Sequence, residues 1–202
     1  MKSIDEVVNQ ATKRYLDVFS THLQRSEGKN FYAADLVMFG LVTRNIGLLK
    51  AMPALFESKN IHALAPLLRV QLDSLLRLHA YRIVESMDGL AKHVISGKNL
   101  RNYKDRNGSF LRDAHLVSTL KVELPWVASM YDTLSGWVHF SESHVFSAAT
   151  LGASENSIVV GVGGCEKEIP ESLFTEACGA VGAMHGATAT LLEAYFGRHY
   201  GA

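Results

Sequence analysis

The sequence has few cysteines, few prolines and no excess of charge of either sign. Its 202 residues include two cysteines, four prolines, and 20 basic against 20 acidic residues. Two cysteines are too few for a disulfide framework or a four-cysteine zinc site, which indicates a reducing compartment and predicts a cytoplasmic protein. The balanced charge creates no overall field that would favour nucleic acid, an anionic membrane or an acidic partner.

Long apolar runs are also missing. The uncharged stretch 177–192 is shorter than the roughly 20 residues of a membrane span, so we expect no membrane segment. The acidic residues Asp5 and Glu6 stand where a signal peptide needs an apolar core, so we expect no leader. With 48% hydrophobic residues, residues 1–202 are expected to form a single helical-bundle domain. The glycines at 161–164 do not form a phosphate loop or a dinucleotide fingerprint, and no cofactor is predicted.

Apolar residues recur at helical intervals along most of the chain, which predicts an all-α, up-down bundle of six or seven helices. Ser3 and Glu6 have the spacing of a capping box, and Asn60 can cap a later helix. An interruption is expected near Met52-Pro53, and 97–108 is expected to be a loop. The predicted helices cover Ser3–Ser26, Phe31–Lys50, Asn60–Glu85, Asp88–Ile95, Phe110–Val122, a segment opening at Pro125, and Glu171–Phe196.

Evidence for strands is confined to one region before the last helix. The segments 157–162 and 165–169, separated by two glycines, predict a β-hairpin over about 157–169. The last helix carries a strip of small residues, Gly179, Gly182, Ala183 and Gly186. Because interior glycines cost about 1 kcal/mol each relative to alanine, we expect this strip to lie close to another helix, within the subunit or across a homodimer interface.

Arg69, Asp73 and Arg77 place charges inside the otherwise apolar third helix. They follow each other at intervals of four, the spacing at which opposite charges meet on one helical face. Leucines lie on the opposite face as well, so this helix is expected to be central. The three side chains form either an ion-pair ladder that orients the bundle or a binding site, because the planar fork of arginine suits carboxylates and phosphates.

A second polar strip lies on the helix that opens at Pro125. On a continuous helix Tyr131, Ser135, His139 and Glu142 would share one face. A histidine flanked by a serine and a carboxylate can act as a general acid or base, which makes Tyr131, Ser135 and His139 catalytic candidates and Glu142 a binding candidate. His139 could equally be a core histidine. A metal site with His144 is not predicted, because His139 and His144 would diverge around the helix.

Together the two strips predict one polar pocket between helix three and the Pro125 helix. We expect Arg69 and His139 to be mostly buried there within one hydrogen-bonded network. Because Asp73 lies between two arginines, its replacement by alanine is expected to destabilise the protein more than replacement of Arg77. The basic loop around Tyr103 could contact a phosphate backbone, but such loops are usually solvated surface, so nucleic acid is a minor alternative.

The segments LAPLLRVQLDSLLRLHAY and YDTLSGWVHFSES resemble a family of uncharacterised bacterial helical proteins. That family pairs an Arg-x-x-x-acid helix with a Tyr-x-x-Leu-Ser-x-x-x-His helix, matched here at Arg69, Asp73, Tyr131, Leu134, Ser135 and His139. The likeness covers about 60–147 and implies a helical fold. More distantly, the chain is similar to HEPN-like bundles, many of which are ribonucleases of toxin or phage-defence systems. Their Arg-x4–6-His signature does not occur in this sequence.

Three functions are compatible with these patterns. The first is a binding or effector module whose buried Arg/Asp/His pocket takes a small anion or a phosphate-containing ligand. The second is a metal-independent ribonuclease or hydrolase with His139 as acid and base. The third is a purely structural, homodimeric interaction protein.

Overall fold

The computed structural model describes residues 2–26, 30–139, 141–151, 154, 157–161 and 169–200. Within these ranges the chain is an all-α bundle, as predicted, with one short antiparallel strand pair. The elements are α1 (Ile4–Ser26), α2 (Ala33–Glu57), α3 (Ile61–Ile83), α4 (Met87–Ile95), a 3₁₀ turn (Leu100–Asn102), α5 (Asp113–Leu120), α6 (Trp126–Val138), α7 (Glu142–Ala148), β1 (Ala149–Leu151), β2 (Ile158–Val160) and α8 (Glu171–Tyr200).

Local capping explains where several helices begin. The backbone N–H of Glu6 donates to Ser3 Oγ, and the Glu6 carboxylate accepts from the Ser3 N–H, which confirms the predicted capping box. The Asn60 side chain accepts from the N–H of Ala63 at the start of α3. These contacts satisfy donors that a helix cannot pair internally.

Helix α3 forms the centre of the bundle. Thirteen of its 23 residues are buried, and it packs against α2, α4, α5, α6 and α8. Leu68, Leu72 and Leu75 belong to a continuous apolar cluster that includes side chains of the long helices α1, α2 and α8. The prediction of a central third helix is therefore confirmed, since apolar residues on both faces need neighbours on both sides.

Two helix boundaries differ from the prediction. Helix α2 continues through Pro53 to Glu57, because the helix tolerates the missing proline N–H while Leu49 and Met52 remain buried beside it. Helix α5 begins at Asp113 rather than Phe110, since Phe110 forms an isolated bridge with Lys104. The predicted loop 97–108 also contains the 3₁₀ turn Leu100–Asn102.

The Pro125 helix is divided, which brings the number of α-helices in the described ranges to eight. Helix α6 ends at Val138, His139 has an extended backbone, and Ser141 is the N-cap of α7. The Ser141 hydroxyl donates to the carbonyl of Gly136, at 2.6 Å, and holds the turn closed.

The strand pair lies earlier than predicted. β2 is part of the segment expected as the first strand, but its partner is β1, with Thr150 opposite Val159. Of the segment expected as the second strand, 165–168 lie outside the described residues.

The small-residue strip of α8 is open. α8 packs against α1 and α3, yet Gly179, Gly182 and Ala183 are exposed. A Cβ on Gly179 or Gly186 would meet no atom within 4 Å, and one on Gly182 would meet only Val7, at 3.8 Å. The prediction of close packing within the subunit is therefore wrong: α1 reaches the strip through the side chains of Val7, at Gly182, and Arg14, at the Gly186 carbonyl, and not by a close approach of its backbone. None of the helices in the described part of the chain is long and apolar enough to cross a membrane.

Candidate functional site

The charged residues of α3 meet side chains from three other helices in what we call the arginine–aspartate cluster. It consists of Arg44 from α2, Arg69, Asp73 and Arg77 from α3, Asp113 from α5 and Tyr131 from α6. Arg69, Asp73 and Arg77 are spaced by four residues, so their side chains lie on one face of α3. The packing of α5 and α6 against α3 supplies the other members.

Asp113 is the centre of this cluster. Its Oδ2 accepts from Arg69 Nη2 at 3.2 Å, and its Oδ1 accepts from Arg77 Nη2 at 2.7 Å. The Tyr131 hydroxyl also approaches Oδ2, at 3.4 Å. One carboxylate therefore bridges the two arginines that the sequence had assigned to Asp73.

Asp73 has a different role from the predicted one. It pairs with Arg77 at 2.6 Å and reaches Arg44 on α2, at 3.4 Å. Arg69 pairs with Asp113, so the predicted Arg69–Asp73–Arg77 ladder is half right. The helical spacing permits the Arg69–Asp73 contact, but Asp113 lies closer to the Arg69 guanidinium once α5 is in place.

Tyr131 fixes the plane of Arg69. The guanidinium carbon lies 4.1 Å from the centroid of the Tyr131 ring, within the range of a cation–π contact. Only 14% of the Arg69 side chain is exposed. The prediction that Arg69 is largely buried and faces the Pro125 helix is confirmed.

The charges in the cluster do not cancel. Three guanidinium groups surround two carboxylates, which leaves one net positive charge. Partial burial alone would raise the pKa of Asp113, but Arg77 and Arg69 outweigh it and hold that pKa below the usual value. Arg77 Nη1 is buried and has no hydrogen-bond partner among the described residues. The cluster is therefore an ionised network with an unused donor.

The predicted catalytic strip does not assemble. His139 is exposed, because α6 ends one residue before it and its own backbone is extended. Glu142 is also exposed, at the start of α7, and Ser135 is half-buried. The prediction that His139 is buried in one network with Arg69 is wrong, since the 3.6-residue period on which it relied stops at Val138.

Another histidine, His144, lies among rings. It stacks on His62 with centroids 5.7 Å apart, and the Trp137 ring lies 5.3 Å from it. The described residues include no group of three or more histidine, cysteine or acidic side chains that could hold a metal ion.

Sequence reasoning missed Asp113 and Arg44. Asp113 stands in the first turn of a helix, where acidic residues are common for their effect on the helix dipole alone. Nothing in its local sequence identifies partners 36 and 44 residues away.

Chemically, the cluster is suited to binding. Guanidinium groups donate from a planar fork that matches a carboxylate or phosphate, and Asp113 already accepts from two of them. Its surplus positive charge favours an added anion over an added cation. Comparison of the chain with protein-family models, with curated proteins and with solved structures found no match, so no function is transferred from a relative.

Proposed function

We propose that this protein is a binding module for a small anionic ligand, a phosphate or a carboxylate, and that the ligand binds at the arginine–aspartate cluster. The observation that carries the proposal is the convergence of three arginines from two helices on only two carboxylates. In such a partly buried network solvent screens the charges of Arg69 and Arg77 only in part, so the surplus positive charge favours a bound anion.

The open side of the cluster is the place for the ligand. Arg44 is 44% exposed and makes only a long contact, 3.4 Å, to Asp73. Arg77 is 26% exposed and lies between the two carboxylates. A ligand oxygen can pair with Arg44 without breaking the shorter contacts, and its negative charge would neutralise the cluster.

Phosphate binding to ¹⁵N-labelled protein tests this proposal. Inorganic phosphate is titrated at constant ionic strength while the Nε–H signals of Arg44, Arg69 and Arg77 are followed by NMR. We expect these signals to shift and saturate. Arg44→Ala should weaken the binding seen at Arg69 and Arg77 by about ten-fold, since one charge-assisted hydrogen bond contributes about 1.5–3 kcal/mol.

Arg14→Ala is the matched control. Arg14 has a similar exposure, 42%, and pairs with Glu193 on the far side of the bundle, between α1 and α8. This variant removes the same charge and should bind as the parent does. The proposal fails if the cluster signals do not saturate, or if Arg44→Ala and Arg14→Ala have the same effect.

The enzymatic alternative has less support. A metal-independent ribonuclease or hydrolase based on His139 needs that ring close to the anion site, and His139 is exposed beyond the end of α6. The resemblance to HEPN-like bundles adds no catalytic residue in this chain. Turnover of RNA or of a phosphodiester that His139→Ala abolishes would restore this alternative.

We also propose that the protein forms a homodimer through α8. We further propose that it is a bacterial, cytoplasmic protein. The exposed residues of the strip, Gly179, Gly182 and Ala183, let another helix approach closely. Gly179→Leu adds a side chain where no neighbour lies within 4 Å, so the fold should be retained and self-association lost. Light scattering that gives a monomer for the parent protein contradicts the dimer.

A further inference from the structure

A cavity of about 300 Å³ lies on the bundle away from the arginine–aspartate cluster. It is bounded by the C-terminal part of α3, by α5, by the loop that follows the 3₁₀ turn, and by α8. The side chains on which its chemistry depends are His79, Arg82, Arg106, Thr119, Glu123 and Arg198. This volume is at the lower end of the range for small-molecule sites.

The floor of the cavity is a buried, neutral histidine. His79 is 2% exposed, and its Nε2 lies 2.9 Å from Thr119 Oγ1. Thr119 Oγ1 donates to the carbonyl of His115 at 3.0 Å, so it accepts from His79 and Nε2 carries the proton. His79 Nδ1 is buried and has no hydrogen-bond partner in the described ranges.

The environment of the His79 ring lowers its pKa. Burial, and then Arg82, lower the pKa of His79 to about 4, so the imidazole is uncharged at neutral pH. Glu123 opposes this effect, and His115 adds to it. The neutral ring of His79 therefore forms the floor of the cavity, and charged side chains form its walls.

The acidic groups of the cavity are already paired. Glu123 accepts from both terminal nitrogens of Arg82, at 3.0 Å each. Asp105 accepts from His115 at 2.8 Å and from the backbone N–H groups of Asn107 and Ser109. Neither carboxylate is therefore paired with Arg106 or Arg198, the other two arginines of the cavity.

Two of the three arginines still have unused donors. Arg106 donates from Nε and Nη2 to backbone carbonyls at the end of α3, which leaves Nη1. Arg198 is exposed and makes no hydrogen bond or ion pair with any residue that the structure describes. Three arginines against two acids leave one net positive charge.

We propose that this cavity is a second binding site, independent of the arginine–aspartate cluster, for the phosphate group of a small phosphate ester. Arg198 and Arg106 Nη1 donate to the phosphate oxygens. His79 forms the floor without donating to the ligand, because Thr119 accepts its only N–H. A phosphate fits because its oxygens accept several hydrogen bonds at once and its charge offsets the surplus of the walls. The small volume restricts the rest of the ligand to a few heavy atoms.

An NMR titration that reads the His79 ring tests the site. Inorganic phosphate, methyl phosphate and acetate are each added to ¹⁵N-labelled protein at pH 7 and constant ionic strength. The His79 ring signals are assigned by their loss in His79→Gln. We expect them to shift and saturate with both phosphates, with methyl phosphate binding at least as tightly as inorganic phosphate and acetate binding more weakly.

Variants separate this site from a general attraction of anions. Arg198→Ala should weaken the binding seen at His79 by about ten-fold, because it removes one charge-assisted contact. Arg101→Ala removes an exposed arginine elsewhere, and Arg44→Ala removes one from the arginine–aspartate cluster; both should leave the His79 titration unchanged.

Each contrary result overturns the proposal in a different way. His79 signals that do not move, or that drift without saturation, show that no anion binds in the cavity. Tighter binding of acetate than of either phosphate overturns the phosphate assignment. Equal affinity in Arg198→Ala and Arg101→Ala shows that Arg198 is not a ligand contact, and an effect of Arg44→Ala at His79 shows that the two sites are not independent.

Discussion

Replacing Asp113 with asparagine tests the arrangement of the arginine–aspartate cluster. The substitution keeps the shape of the side chain and removes the charge that bridges Arg69 and Arg77. One of its two oxygens becomes an NH₂ group, which faces a guanidinium and cannot accept a hydrogen bond. Arg69 then has no carboxylate among its described contacts, and Arg77 keeps only Asp73.

The expected loss lies between the limits for buried and exposed pairs. Removing one partner of a buried ion pair costs about 3–5 kcal/mol, and an exposed pair contributes about 0–1 kcal/mol. Asp113 is 31% exposed and Arg69 is 14% exposed, so solvent screens the pair only in part. We therefore expect Asp113→Asn to lower the free energy of unfolding by about 2 kcal/mol, an intermediate value.

Asp73→Asn should cost less, about 1 kcal/mol, because Arg77 keeps Asp113 and Arg44 is largely solvated. Urea unfolding at neutral pH measures both variants, with Glu193→Gln as a control for loss of an exposed pair. If Asp113→Asn costs no more than Glu193→Gln, the cluster is a surface feature and the reasoning fails. A double-mutant cycle with Arg69→Met isolates the coupling between Arg69 and Asp113.

Two further predictions concern the surroundings of the second cavity. Because the pKa of His79 falls from 6.5 to about 4 on folding, its contribution to stability is fully present above pH 6.5 and is lost as the pH falls toward 4. His79→Gln should therefore reduce the loss of stability between pH 7 and pH 5, measured by urea midpoints, and an unchanged pH dependence contradicts this account. Arg106 is exposed but donates to the carbonyls of Arg82 and Ile83 at the C-terminus of α3, so Arg106→Met should cost about 1 kcal/mol. Arg101→Met, also at an exposed position, should cost less than about 0.5 kcal/mol. Equal urea midpoints for these two variants would show that the carbonyl contacts do not stabilise α3.

Much of the fold could be predicted from local patterns. Ser3 and Glu6 mark the start of α1, and Asn60 marks the start of α3, because capping depends on residues only three apart. The central position of α3 follows from its leucines on both faces. Pro53 misled the prediction for α2, since burial of Leu49 and Met52 outweighs the lost proline hydrogen bond.

The candidate site was predicted where its members share a helix and in one contact between two helices. Arg69, Asp73 and Arg77 lie on one face as their spacing requires, and Tyr131 meets Arg69. Asp113 was missed because its partners are brought to it by tertiary packing. His139 was wrongly placed because a helical period has no information about where the helix stops.

The strip on α8 shows a third kind of error. Gly179 and Gly186 were expected to face a neighbour because interior glycines cost helix stability. A Cβ on either residue would meet no atom within 4 Å, so that cost is not recovered by close packing within the subunit. Helix propensity shows that interior glycines destabilise a helix, but it does not show which contact, if any, offsets that loss of stability.

The central position of α3 also bears on how binding could be communicated. Arg69 and Arg77 are attached to the one helix that packs against α2, α4, α5, α6 and α8 together. The negative charge of a ligand bound at Arg44 would act on these two arginines and therefore on α3, and close packing makes such a helix shift as a unit rather than deform locally. A displacement of α3 would reach α8, whose open glycine strip lies on the outer surface of the molecule. If subunits associate through that strip as proposed, the position of α3 couples occupancy of the cluster to subunit association.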